Sequence, residues 1–197
     1  MLARLINQIL IQTAVFAAVA QASPVNERDL EKQLHFYKSI EELTTTFHQT
    51  KHLSEMKLDL QSDGRLTLNK PDRIIWEITK PSRLVVTISK TDVRIESKGE
   101  TQTFKFQELS QDNVANGINM LVPWLMLDAH ALSETYRVTE DADHGFVFEP
   151  KKANGSITKM ILFLNDNGHL KRLKLFEASG DWIEIQFDAP KVVRKKV

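Results

Sequence analysis

The chain has 197 residues, enough for one domain with a sizeable core, and its 42% apolar content fits a globular rather than a disordered protein. Its 26 basic residues balance 26 acidic ones, so no global field draws it to nucleic acid or to an anionic membrane. Cysteine is absent, which excludes disulfides, thiolate metal sites and thiol catalysis.

Residues 1–22 carry one early cation (Arg4), an apolar run from Ile9 to Ala20 and a small-x-small end at Ala20-Gln21-Ala22. That is the three-part layout of a secretory signal peptide with cleavage after Ala22; the competing reading is an N-terminal helix of the domain. The run is too short to span a bilayer comfortably. Export would leave residues 23–197 as a single domain in the periplasm of a Gram-negative cell.

Asn26 precedes Glu27 and Asp29 and reads as a helix cap with acids in the first turn. Leu30, Leu34 and Tyr37, with Phe36 beside them, form an apolar stripe at helical spacing. The stripe fits a helix packed on a sheet or part of a lid, and the sequence leaves both open. From Glu42 onward the pattern turns to strands. LTTTFHQTKHL and MKLDLQSDG come first, and Ser62-Asp63-Gly64 reads as a turn.

The stretch from Gly64 to Ile88 then reads as three strands of period two. Leu66 and Leu68 share one face; so do Ile74, Trp76 and Ile78; so do Leu84, Val86 and Ile88. Lys70-Pro71-Asp72 and Lys80-Pro81-Ser82 are the turns, because proline fixes φ and cannot donate to a central ladder. This is an antiparallel meander with one apolar face. Two further strands run from Asp92 to Ser97 and from Gln102 to Leu109, joined through Lys98-Gly99-Glu100.

Residues 113–128 are apolar nearly all round and contain Pro123, which predicts two short helical pieces or one kinked helix. Such a helix is either fully buried or contacts lipid, and Met120 and Met126 suit an adaptable surface. Strands resume at Thr135–Thr139, Phe146–Glu149, Ile157–Leu164, Leu170–Ala178 and Trp182–Phe187. Asn154-Gly155, Asp166-Asn167-Gly168 and Ser179-Gly180-Asp181 mark turns. The whole is about ten or eleven antiparallel strands, and a sheet that large must curl, close or pack against something. The basic tail from Lys191 to Val197 is expected to fray.

A search for chemistry returns little. His48 and His52 lie about 13 Å apart on a strand and have no third ligand at suitable spacing, so no metal site is expected. There is no phosphate loop, no nucleophile elbow and no carboxylate pair placed as in a glycosidase. Strand bases alternate with acids, unlike a nucleic-acid face. The expectation is a protein that is not an enzyme and takes no cofactor.

FHQTKHL followed by GRLTLNKPDRIIWEITKPSRLVVTI resembles the LolA family of periplasmic lipoprotein carriers. Phe47, Gln49, Gly64, Leu66, Leu68, Pro71, Trp76 and Pro81 stand at the family's motif positions, and residues 146–187 resemble its paired late strands. The resemblance implies an incomplete, half-open antiparallel β-barrel whose apolar concave side is covered by a helical lid. It implies a monomer that carries the acyl chains of a lipoprotein from an inner-membrane ATP-driven transporter to an outer-membrane acceptor. A LolA-like carrier for another amphiphile, a glycolipid or an acyl or polyene product with its own exporter, is the alternative.

Candidate cavity-lining residues are Phe47, Leu66, Leu68, Ile74, Trp76, Ile78, Leu84, Val86 and Ile88, with Met120, Leu121, Trp124 and Leu125 from the lid. Plain core packing is the competing reading for each. Lys70 stands where the family usually has an arginine linked to holding the lid shut, and it lacks the planar fork of arginine. After Phe187 only DAPKVVRKKV remains, where relatives commonly have a further loop and strand.

Overall fold

The computed structural model describes residues 23–71, 73–105, 127–152 and 156–194. The expected signal peptide, the apolar segment over 113–126, the end of the strand after Lys105 and the Asn154-Gly155 turn lie outside the described residues.

The chain enters through a two-residue strand, β1 (Ser23–Pro24), and two short helices, α1 (Glu27–Gln33) and α2 (His35–Lys38). Asn26 caps α1 as expected, its side chain accepting the Asp29 N–H at 3.0 Å. The helical stripe is core: Leu30, Leu34 and Tyr37 are all buried.

Two long strands follow, β2 (Ile40–Leu53) and β3 (Leu58–Asn69), paired without a register break from Glu42 opposite Asn69 to Leu53 opposite Leu58. Ser62-Asp63-Gly64 is therefore not a turn but the middle of β3. Gly64 is there for space rather than for backbone freedom, because Phe47 on β2 sits directly opposite it. The meander continues through β4 (Arg73–Lys80), β5 (Leu84–Ile88), β6 (Asp92–Ser97) and β7 (Glu100–Lys105), close to the expected boundaries. Pro71 and Pro81 lie between its strands, as the sequence requires, and both follow cis peptide bonds. The β6–β7 turn places Lys98 at φ 51° and Gly99 at φ 83°.

A third helix, α3 (Ala129–Thr135), precedes the second run of strands, where the sequence reading had none. Its signal was the cap: Asp128 accepts the N–H groups of His130 at 3.1 Å and Ala131 at 3.2 Å, ahead of good helix formers. Then come β8 (Tyr136–Glu140), β9 (Phe146–Pro150), β10 (Ile157–Leu164), β11 (Leu170–Glu177), β12 (Trp182–Phe187) and β13 (Lys191–Arg194).

The tail does not fray over 191–194. β12 and β13 run one after the other along β2, β12 on its Phe47–His52 half and β13 on its Ile40–Thr44 half. Between them Asp188, Ala189 and Pro190 interrupt the run of strand, and Asp188 is bonded back to β2. Its N–H donates to Thr46 O at 3.0 Å, and its carbonyl accepts the Thr45 hydroxyl at 2.9 Å. Val192 packs against the core, which gives the short strand a reason to stay.

The described strands form one antiparallel sheet of 13 strands, in the order β1-β8-β9-β10-β11-β12-β2-β3-β4-β5-β6-β7, with β13 beside β2. The count exceeds the expected ten or eleven because β1 and β13 are too short to show period-two patterning. Among the described residues β7 and β1 do not pair, so the sheet curls without closing. One cluster runs along its inner face, from Leu43, Phe47 and Leu68 through Met160 and Leu162 to Leu173 and Ile185, and takes in Leu30, Leu34 and Leu132 of the helices.

Candidate functional site

Every apolar position of the meander that the sequence singles out is half-buried or fully buried. Phe47, Leu66, Leu68, Ile74 and Ile88 are buried in the core cluster, while Trp76, Ile78 and Val86 are partly buried against it. Leu84 is half-buried opposite Ile78 on the neighbouring strand. Met120, Leu121, Trp124 and Leu125 lie outside the described residues.

Three of the motif residues form one unit. The Phe47 ring lies over Gly64 and stacks on Trp76 with centroids 4.2 Å apart and planes inclined by 29°. Phe187 closes the group at 6.2 Å from Phe47 and 6.4 Å from Trp76. Offset aromatic packing of this kind adds about 0.5–1.5 kcal/mol per pair beyond simple area burial.

Beside that unit lies an apolar cavity of about 20 Å³. Leu66 and Leu68 of β3 line one wall, with Leu43 and Thr45 of β2. Leu162, Leu170 and Leu173 of the β10–β11 hairpin line the facing wall, and Tyr37 and Leu127 complete it toward the helices. Thr45 and Asp188 are its polar exceptions. A space of this size admits a water-sized sphere and no more, so an acyl chain would enter only by moving part of the wall aside. Of the nine described candidates only Leu66 and Leu68 line this cavity; Leu43, Thr45 and the facing wall were not among those named from the sequence. The continuous apolar run ILFL of β10 and the alternation of LKRLKLF in β11 carried that signal.

Lys70 lies at the end of β3, and its ammonium donates to the main-chain carbonyl of Tyr37 at 2.8 Å. Its own N–H donates to Glu41 O at 2.9 Å. Tyr37 in turn accepts the Leu170 N–H on its phenol oxygen at 2.6 Å. Burial pushes the Tyr37 phenol up to about 12, against the lowering effect of that bond, so it stays neutral. Lys70 and Tyr37 thus tie the end of the first helical pair to β3 and to β11 across one rim of the cavity.

The outer face of β2 and β3 is polar. His48 pairs with Asp63 and His52 with Asp59, each at 2.6 Å, and His52 stacks on Trp182 with centroids 5.3 Å apart. The hydrogen bond from His48 holds the Asp63 carboxyl below its ordinary range. Among the described residues no three histidine, aspartate or glutamate side chains gather as a metal site, and no helix is long and apolar enough to cross a membrane.

The family model described as outer membrane lipoprotein carrier protein LolA matches residues 38–196. The chain belongs to the LolA family. The match takes in β2 through β13, and with them the Phe47–Gly64–Trp76 unit and both walls of the cavity.

Among solved structures, a LolA superfamily protein from Nitrosomonas europaea is 10% identical at a TM-score of 0.45, over 87% of this chain and 96% of that one. A DUF1329 family protein from Desulfovibrio piger is 9% identical at a TM-score of 0.46, over 86% and 93%. LprF from Mycobacterium bovis is 11% identical at a TM-score of 0.42, over 88% and 98%. No curated protein matches the chain in sequence.

Proposed function

We propose that this LolA-family chain is a periplasmic carrier without catalytic activity that holds the acyl chains of a lipoprotein while it crosses between membranes. The observation that carries the reading is the apolar inner face of an unclosed sheet, with a hydrocarbon-lined cavity at the end where the helices sit. Each buried methylene is worth about 0.8 kcal/mol against water, so exposing a chain of roughly 14 methylenes costs about 11 kcal/mol. An acylated protein therefore stays in its membrane unless it is escorted. Passing from bilayer to a dry apolar cavity is far nearer to neutral, and small differences in fit can then set direction.

On this reading the cavity between Leu66, Leu68, Leu162 and Leu173 is the closed form of the acyl site, and loading widens it. Lys70 acts as the latch by holding the helical end to β3 through Tyr37. Phe47, Ile74, Trp76, Ile78, Leu84, Val86 and Ile88 continue the acyl-contacting face, with Met120, Leu121, Trp124 and Leu125 as its cover. An inner-membrane ATP-driven transporter would load the carrier and an outer-membrane acceptor unload it. A carrier of another amphiphile would use the same face.

Native mass spectrometry of the protein purified from its own periplasm tests the proposal. A bound acylated lipoprotein supports it, and a bound glycolipid or acyl product moves it to the other cargo. Protein that is empty after gentle purification and refuses an added fatty acid contradicts both.

A further inference from the structure

Three of the four large apolar side chains most exposed among the described residues lie at the tip of one hairpin. Met56 is 64% exposed, Leu58 45% and Leu60 46%. They lie where β3 outruns its neighbour: β4 pairs with β3 only from Asp63, opposite Lys80, so Leu58–Ser62 are bonded to β2 alone among the described residues. In an antiparallel strand every second residue points its N–H and C=O away from the partner, so this stretch offers an unfilled ladder edge.

The tip of the hairpin is anchored at its β2 end. Ser54 donates its N–H to the Asp181 carboxylate at 2.8 Å, and its hydroxyl bonds to Gly180 O, which pins the tip to the β11–β12 turn. On the opposite face Asp59 is engaged by His52. The leucine face continues that of Gly64, Leu66 and Leu68, and its register places Leu53 opposite Leu58 and Lys51 opposite Leu60. From Gln49 to Ser62 that face of the two strands carries one charge, Lys51, and no acid.

We propose that Leu58–Ser62 bind an extended, alternately apolar segment of a partner protein as an added strand. Sheet edges meant to stay free are blunted by charge, as at β7, whose exposed positions are Glu100, Thr101, Gln102, Thr103 and Lys105. The hairpin edge has neither lysine nor proline between Leu58 and Ser62, and shows two leucines instead. A lipid surface would leave the backbone edge unpaired, whereas a strand fills it and covers Leu58 and Leu60 with its own apolar row. Lys51, beside Leu60 on the leucine face, and the exposed Lys57 at the tip favour a segment that carries a carboxylate.

The test is amide hydrogen exchange on the full chain with a capped decapeptide of alternating valine and threonine, one valine replaced by glutamate. Two versions are N-methylated, each along a different edge. Expected is slowing of about tenfold at the outward amides of Leu58–Ser62, kept with one methylated peptide and lost with the other. Leu60→Lys should weaken it about tenfold with an unchanged denaturation midpoint, since Leu60 is exposed. Equal binding of both methylated peptides, or no slowing at all, overturns strand addition. So does slowing that needs no peptide and rises with protein concentration, which would mean a second copy. Slowing only with phosphatidylglycerol vesicles would mean a lipid surface and likewise overturns it.

Discussion

The ring of Phe47 occupies the space that a side chain at Gly64 would need. A Cβ built on Gly64 falls 2.2 Å from Phe47 Cζ and 2.3 Å from the Glu77 carbonyl oxygen, and the second of these cannot move without breaking the β3–β4 ladder. The ring rests on bare backbone on one side and on the Trp76 indole on the other. Gly64→Ala should therefore cost about 3 kcal/mol or more by overpacking, read as a drop in the urea midpoint at constant slope. A variant that unfolds at the parental midpoint would mean that the ring is free to leave.

That contact shows how much of the fold was legible and where reading stopped. Period two gave the strands from Arg73 to Ser97 nearly to the residue, because one face of each is buried and the other is polar apart from Ile75 and Val85. Gly64 misled because glycine signals both a turn and a close approach, and only the partner strand, distant in sequence, decides between them. The Ala129–Thr135 helix was hidden by the strong strand pattern after it, although Asp128 was a readable cap. β13 was invisible because a four-residue basic strand has no pattern of its own. Its place depends on β2 reaching seven residues beyond the end of β12, to Ile40. For the cavity, only Leu66 and Leu68 were named from the sequence, and pairing them with β10 and β11 required the topology.

Lys70→Met keeps the aliphatic stem but deletes the ammonium that bonds the Tyr37 carbonyl. The expected loss is about 1–2 kcal/mol of stability, with Lys70→Arg recovering most of it. Denaturant unfolding of the three proteins checks this. If Lys70 is also the latch, the methionine variant should exchange a bound acyl probe faster than the parent.

α1 and α3 meet through His130, whose Nδ1 lies 2.9 Å from a Glu27 carboxylate oxygen. That hydrogen bond first, and then the charges of Glu27, Glu134 and Asp128, raise the His130 pKa above its ordinary value. A raised histidine favours the fold while protonated. Its contribution is complete below about 6.5, the ordinary value, and fades as pH rises through the folded value. Imidazole titration by NMR should give a midpoint above that of a free histidine, falling back in Glu27→Gln. An unchanged midpoint in that variant would mean that the pair does not form in solution.

Ending the chain after Pro190 removes β13 and bares the Ile40–Thr44 edge of β2 together with the core surface against which Val192 packs. The shortened protein should lose about 1–3 kcal/mol and show faster amide exchange at Ile40–Thr44. A frayed tail would leave both unchanged.

Uptake of a fluorescent fatty-acyl probe by residues 23–197 tests the carrier reading most directly, with Leu66→Glu and Leu68→Glu measured alongside. The expected result is saturable one-to-one binding by the parent, lost in both variants beyond what their reduced stability explains and while they still unfold cooperatively. No saturable binding by the parent, or loss of binding only in step with loss of fold, would mean that the leucines of β3 are plain core and that the inner face carries no lipid.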